Sequence, residues 1–165
     1  MNTEQAIQFK LTDKILEVAG IVATLALILL PFAFYSHLPD EIPTHFGFKG
    51  LPDGFGNKGS IWSLPIIGTL LYIGLSLLNY FVVVKNKPNS REKYGQPIAQ
   101  ESILRLMQII KLFLSSAFAF IIWKTIQVSL GNADGLGVWF LPTFIVLMTF
   151  LPIIFLITSV GKSRK

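Results

Sequence analysis

The chain alternates between four long apolar runs and three polar interruptions. Ile15–Tyr35 carries one charge, Glu17, close to its start. Ile61–Val84 and Gly137–Val160 carry none, and Ile109–Leu130 carries Lys111 and Lys124 near its two ends. Each run is about 21–24 residues long, enough at ~1.5 Å per residue for a helix to cross a hydrocarbon layer of ~30 Å. A helix of a soluble bundle would show a polar face with a period of 3.6 residues, whereas the second and fourth runs are apolar all round. The pattern predicts an all-α integral membrane protein. It forms one membrane domain over residues 1–165, with transmembrane helices near 15–35, 61–84, 103–130 and 137–160. The first run is too long for the h-region of a signal peptide. It ends in Pro31-Phe32-Ala33-Phe34-Tyr35 with no clear small-residue cleavage site, so it is read as a retained helix.

Polar groups inside the runs are few. Asp13 and Glu17 suit the positive end of the first helix dipole. Arg105, Gln108 and Lys111 recur every three residues and share one polar face, read either as a holder of lipid phosphates or as side chains snorkelling to the interface. Ser115, Ser116 and Ala119 form a small-residue patch suited to close helix packing, within the chain or against a second one. No carboxylate falls at mid-depth, which argues against a transporter coupled to protons or cations.

Composition and charge fix the orientation. Mean hydropathy is +0.61 and only 14% of residues are charged. Cysteine is absent, which removes disulfide and thiolate chemistry. The net charge of +5 is not a nucleic-acid footprint, because the basic residues follow the loops. Lys10 and Lys14 precede the first helix. Lys85, Lys87, Arg91, Lys93 and Arg105 surround the second loop, and Lys162, Arg164 and Lys165 form the tail. Only Lys49 and Lys58 lie in the first loop. The positive-inside rule then places both termini in the cytoplasm and residues 36–60 outside.

That outer segment, 36–60, is far longer than a helix connection requires. Leu51-Pro52-Asp53-Gly54 has the proline and glycine positions of a type I turn, with Gly54 in a left-handed conformation closing a short hairpin. Strand alternation in Thr44-His45-Phe46-Gly47-Phe48 would turn His45 and Gly47 one way, toward Asp53 or Lys58. Phe46, Phe48 and Phe55 would then lie on the bundle end or dip into the headgroups. Gly50, Gly54 and Gly56 are read as backbone requirements.

The run Leu38-Pro39-x-x-Ile42-Pro43-Thr44-His45-Phe46, followed by Gly50-x-Pro52-Asp53-Gly54-Phe55-Gly56-x-Lys58, resembles the extracytoplasmic signature of the SdpI-like membrane proteins. It covers about twenty-one contiguous residues and departs from the family pattern at Gly47, where asparagine is usual. The resemblance implies a bacterial plasma-membrane protein. It also implies, more weakly, the role of the best-known relative, which is longer, protects its producer from a secreted toxic peptide and holds a transcriptional repressor at the membrane.

Four readings of His45 stand open: a structural pin for the hairpin, recognition of an outside peptide or partner, metal binding, and acid–base catalysis. For metal, the other ligands would be His37, Asp40, Glu41 or Asp53. Its spacing from His37 matches no recognised metal motif, and no serine or cysteine completes a catalytic group with it. No cofactor is expected. The leading expectation is a non-enzymatic sensor or immunity-type protein, with His45, Asp53, Lys58, Phe46 and Phe55 as binding candidates and Pro39, Pro43, Gly50, Pro52, Gly54 and Gly56 shaping the loop. Expected partners are membrane lipids and a secreted peptide or membrane protein. The alternative is an accessory subunit of a larger complex or a homo-oligomer, packed through Ser115, Ser116 and Ala119.

Overall fold

A computed structural model of the protein describes residues 11–85 and 97–163. Much of the basic charge on which the expected orientation rests (Lys10, Lys87, Arg91, Lys93, Arg164, Lys165) lies outside the described residues. The elements run α1 (Leu11–Phe34), a 3-10 turn (Tyr35–His37), β1 (Glu41–Phe46), β2 (Pro52–Asn57), a second 3-10 turn (Lys58–Trp62), α2 (Ser63–Lys85), α3 (Pro97–Ser129) and α4 (Phe140–Ser163). Three helical stretches, Leu11–His37, Lys58–Phe81 and Ser102–Ser129, are long and apolar enough to cross a membrane. Phe140–Phe155, within α4, is a shorter apolar stretch. The small antiparallel β1–β2 sheet is the departure from an all-α fold.

The helices pack around α3, and α1 makes the most extensive contact with it. Along α1 the buried residues are Asp13, Gly20, Thr24, Leu27 and Pro31. Their spacing alternates in steps of three, four and seven, the stripe of a helix that lies along a neighbour. Leu104, Gln108, Lys111, Ser115, Ile122 and Ile126 answer from α3 at the same spacing. Three polar rungs cross this seam. Arg105 grips Asp13 through Nε at 2.7 Å and Nη2 at 3.3 Å. Lys111 Nζ donates to both oxygens of Glu17, at 2.7 and 2.9 Å. The hydroxyls of Thr24 and Ser115 meet at 2.9 Å. The rung partners are 92, 94 and 91 residues apart in sequence. A nearly constant offset is possible only if α1 and α3 run parallel.

Beyond Thr24 the seam turns apolar, and Leu27, Ile122 and Ile126 join Leu38, Ile42 and Ile61 in one fully buried cluster. The seam therefore grades from ion pairs at one end of the bundle to hydrocarbon at the hairpin end.

Helix α2 runs back antiparallel and fits one face into the groove between α1 and α3. Gly68 comes so near that a Cβ there would lie 2.5 Å from Leu27 Cδ2 and 3.0 Å from Phe118. One turn on, the Tyr72 ring lies against Gly20, and its hydroxyl donates to Glu17 Oε1 at 2.9 Å. A further turn on, Ser76 Oγ accepts from Lys111 Nζ at 3.0 Å. The Lys111 ammonium also sits 4.7 Å from the centre of the Tyr72 ring. Helix α4 returns antiparallel and packs chiefly on α3, through a ladder of stacked rings. Phe120, Phe140, Phe144 and Phe113 have successive centroids 5.1, 6.0 and 5.5 Å apart.

Two sequence expectations are corrected here. Arg105, Gln108 and Lys111 do not present a face to lipid phosphates or snorkel outward; Gln108 and Lys111 are buried and Arg105 is turned to Asp13. Asp13, which does lie in the first turn of α1, and Glu17 are their partners. The reason is energetic: an ion at this depth is stabilised far better by an opposite charge and several donors than by reaching for the interface.

Cutting one side of the inner rung should therefore be costly. Lys111→Ala, which leaves Glu17 facing an empty position, is expected to destabilise the bundle by about 3–5 kcal/mol. The paired change Glu17→Gln with Lys111→Met should recover most of that loss. Unfolding in mixed micelles of rising SDS fraction, followed by circular dichroism, measures both. Equal stability of Lys111→Ala and the native chain would overturn the role given to this rung.

Candidate functional site

The β1–β2 hairpin is seated on the apolar end of the seam. Ile42 is wholly buried beside Leu38 and Ile61, which fixes β1 to α1 and α3. The two chain ends of the hairpin are clamped by Lys58, whose N–H donates to the Asp40 carbonyl at 2.9 Å. Its ammonium meets the Asp40 carboxylate, also at 2.9 Å. That ammonium holds the exposed Asp40 carboxyl below its ordinary value. Lys58 also lies 5.8 Å from the centre of the Tyr35 ring, which in turn packs on Trp62. Asn57 accepts from the Gly59 N–H at 2.8 Å and starts the turn that leads into α2.

The reversal of the hairpin is at Gly47–Leu51, and not at Leu51–Gly54. Gly47 N–H donates to the Leu51 carbonyl at 2.9 Å, and Gly50 N–H to the Gly47 carbonyl at 2.8 Å. Gly50 takes the left-handed conformation, with φ of 72°, while Gly54 lies inside β2 opposite His45. What fixes the turn here is a backbone contact with the α3–α4 loop. Leu136 N–H donates to the Gly50 carbonyl at 2.8 Å, and a Cβ on Gly50 would fall 2.5 Å from the Gly137 oxygen. That long-range contact could not be read from local turn preferences.

His45 and Asp53 are brought together by irregular pairing. The register passes from Pro43–Phe55 to His45–Gly54 and then to Phe46–Pro52. Thr44 and Asp53 are therefore extra residues on their strands, and such bulges re-aim side chains. Asp53 Oδ1 hydrogen-bonds His45 Nδ1 on the exposed side of the hairpin. Because a carboxylate only accepts, Nδ1 carries the hydrogen and Nε2 remains available to another group. The slipped register also ends strict alternation, and Thr44, His45 and Phe46 all line one cavity.

That cavity, about 220 Å³, lies in the angle between the first turns of α2 and α4. α3 forms its floor through Ile122 and Thr125, and Leu141 forms part of the α4 wall. Ser60 lines it as well. The Ser60 hydroxyl oxygen is buried and has no hydrogen-bond partner among the described residues.

The candidate residues are thus distributed as follows. His45 and Asp53 form a pair, with side chains 73% and 51% exposed. Lys58 joins Asp40 instead of Asp53. Phe46 is half-buried at the cavity, while Phe48 and Phe55 stand exposed. Pro39 is exposed, Pro43 is buried, and Pro52 opens β2, where its missing N–H leaves no gap inside the strand. Gly56 faces Ile42 across the hairpin. His37 lies with Ser36, their side chains 3.3 Å apart. Among the described residues no three His, Asp or Glu side chains gather as a metal would require. In the small-residue patch, Ser115 is buried against Thr24, Ala119 borders the apolar cluster and Ser116 is exposed.

Sequence reasoning missed the cavity, whose floor and far wall come from α3 and α4. It also missed the ionic seam. The available signal was the match in depth between Asp13 and Glu17 at the start of the first run and Arg105 and Lys111 at the start of the third.

Comparison with known proteins bears on the same segment. Residues 21–69, from mid-α1 through the hairpin into α2, match a family model described as a domain of unknown function (DUF1648). An uncharacterized protein of Archaeoglobus fulgidus is 41% identical over 56 residues. The match covers 34% of this chain and 31% of that protein, so the chain spans under a third of its relative. No solved structure matches the chain significantly.

If the Gly50 contact holds the hairpin down, Gly50→Ala should free it. The substitution forces a side chain into left-handed geometry and against Gly137, at a cost of about 1–2 kcal/mol. The expected result is roughly tenfold faster proteolysis between β1 and β2, with helical content unchanged. Unaltered cleavage would show that the hairpin is held by other contacts.

Proposed function

We propose that the chain is a four-helix membrane protein of the SdpI-like type in a bacterial cytoplasmic membrane. Both termini would face the cytoplasm and the hairpin would face outward. In this reading it is a non-enzymatic sensor or immunity-type protein whose hairpin recognises a peptide, lipid or partner protein. One observation carries the proposal: an exposed His45–Asp53 pair, held on two strand bulges, stands at the mouth of an open cavity. A pair that served only to pin the hairpin would gain most from burial, yet the hairpin is already held by Ile42, by the Asp40–Lys58 clamp and by Gly50. The parallel course of α1 and α3 supports the alternating path of the chain, and the basic residues of 1–14 and 85–105 support the orientation. The signature run lies inside the segment that the family model matches. Binding at the hairpin would act on the bundle through Ile42 and the seam beneath it.

The absence of native cysteine makes the orientation directly testable. A single cysteine at Phe48 should react in intact cells with a membrane-impermeant maleimide, and one at Lys162 only after lysis. The reverse pattern would overturn the topology. His45→Ala, Asp53→Ala and Lys58→Ala should abolish the protective or signalling response in cells while leaving insertion and helical content intact. If these variants respond normally and Ser116→Leu instead abolishes co-purification of another membrane protein, the accessory-subunit reading replaces this one.

A further inference from the structure

The cavity beneath the hairpin has the chemical profile of an amphiphile site. Its walls from α2, α3 and α4 are largely aliphatic and aromatic, and its hairpin side carries Thr44, His45 and Ser60. It lies at the first turns of two helices that begin with tryptophan nearby, Trp62 before α2 and the exposed Trp139 before α4. Tryptophan at helix ends marks the level where acyl chains meet headgroups. At that level the molecule best placed to enter sideways, between α2 and α4, is a lipid of the surrounding bilayer. A volume of about 220 Å³ would otherwise hold roughly seven waters at ~30 Å³ each, most of them against hydrocarbon.

Two polar atoms define which lipid fits. Ser60 lines the cavity, and its hydroxyl oxygen, covered in the present rotamer, has no hydrogen-bond partner among the described residues, so turning it toward a ligand breaks no bond. His45 has its Nδ1 hydrogen committed to Asp53, so in its neutral form the ring offers Nε2 as an acceptor backed by a carboxylate. An acceptor so backed favours a headgroup that donates N–H or O–H. Lys58, at the hairpin base, is engaged with Asp40, which leaves a bare phosphate less favoured there.

We infer that the cavity binds one bilayer lipid. Its acyl chain lies along Ile122 and Leu141, and a hydrogen-donating headgroup reaches His45 Nε2 and the Ser60 hydroxyl. The inference rests on the recognition reading above and supplies its ligand class.

The test is native mass spectrometry of the full chain in mild detergent. It is incubated with equal amounts of phosphatidylethanolamine, which has an N–H donor, and phosphatidylcholine, which has none, bearing identical acyl chains. The expected result is one retained phosphatidylethanolamine per chain, at least fivefold over phosphatidylcholine. Leu141→Trp, which fills the cavity, should abolish retention. Ile121→Trp fills it from a second helix and serves should the first variant fail to fold. Leu147→Trp, on the exposed face of α4, should change nothing, and His45→Phe should bring the two lipids to parity. Equal retention of both lipids by the native chain, or undiminished retention in both cavity-filling variants, would show annular lipid only and overturn the inference. Lipid retention with no cellular defect in His45→Ala would sink the recognition role and leave the lipid site standing. A cellular defect without selective retention would do the opposite.

Discussion

Lys111 is 3% exposed, in a helix long and apolar enough to cross a membrane, and its ammonium is satisfied by Glu17, Ser76 and the face of Tyr72. Those partners come from α1 and α2, so a single cation holds three helices in a fixed register. Hydrophobic packing alone cannot do this in lipid, where acyl chains are as apolar as leucine and helices slide or rotate at little cost. The charge lets only one rotation of α1 against α3 satisfy every group. Asp13–Arg105 and Thr24–Ser115 repeat the same demand one or two turns away.

Register set at the ionic end determines the geometry at the other end. With α1 and α3 locked in parallel, Leu27, Ile122 and Ile126 converge on one spot, and Ile42 of the hairpin closes it. The hairpin is therefore docked on a rigid platform, and its bulges can hold His45 and Asp53 in place without burying them. The cavity exists because α2 and α4 each lean on α3 and leave the angle between their first turns unfilled.

Helix number and approximate limits were legible because apolar length reports them directly, and α1, α2 and α4 fall within a few residues of the expected runs. α3 begins at Pro97, ahead of its apolar run, where a proline suits the first helical position and marks the start that hydropathy alone does not. The hairpin was legible from alternation and from its glycines and prolines, but the position of its turn was not. Local preference points to Pro52-Asp53-Gly54, while the structure turns at Gly50, where the chain meets Gly137. The ionic seam was hidden for a related reason. Each charge taken alone looks like an end effect, and only the parallel pairing of α1 with α3 gives it a partner. At the candidate site, the nearness of His45 and Asp53 was readable across a short hairpin. The Lys58–Asp40 clamp and the cavity depend on how distant elements meet.

The bond between Gly50 and Leu136 has a temporal consequence. A chain made from its N-terminus produces the hairpin long before the α3–α4 loop, so the hairpin tip has nothing to rest on until α3 has emerged. The cavity, which borrows Phe140 and Leu141, gains its last wall later still. Maturation of the hairpin surface is thereby tied to completion of the bundle, and a partly synthesised chain would present no finished site to whatever it meets.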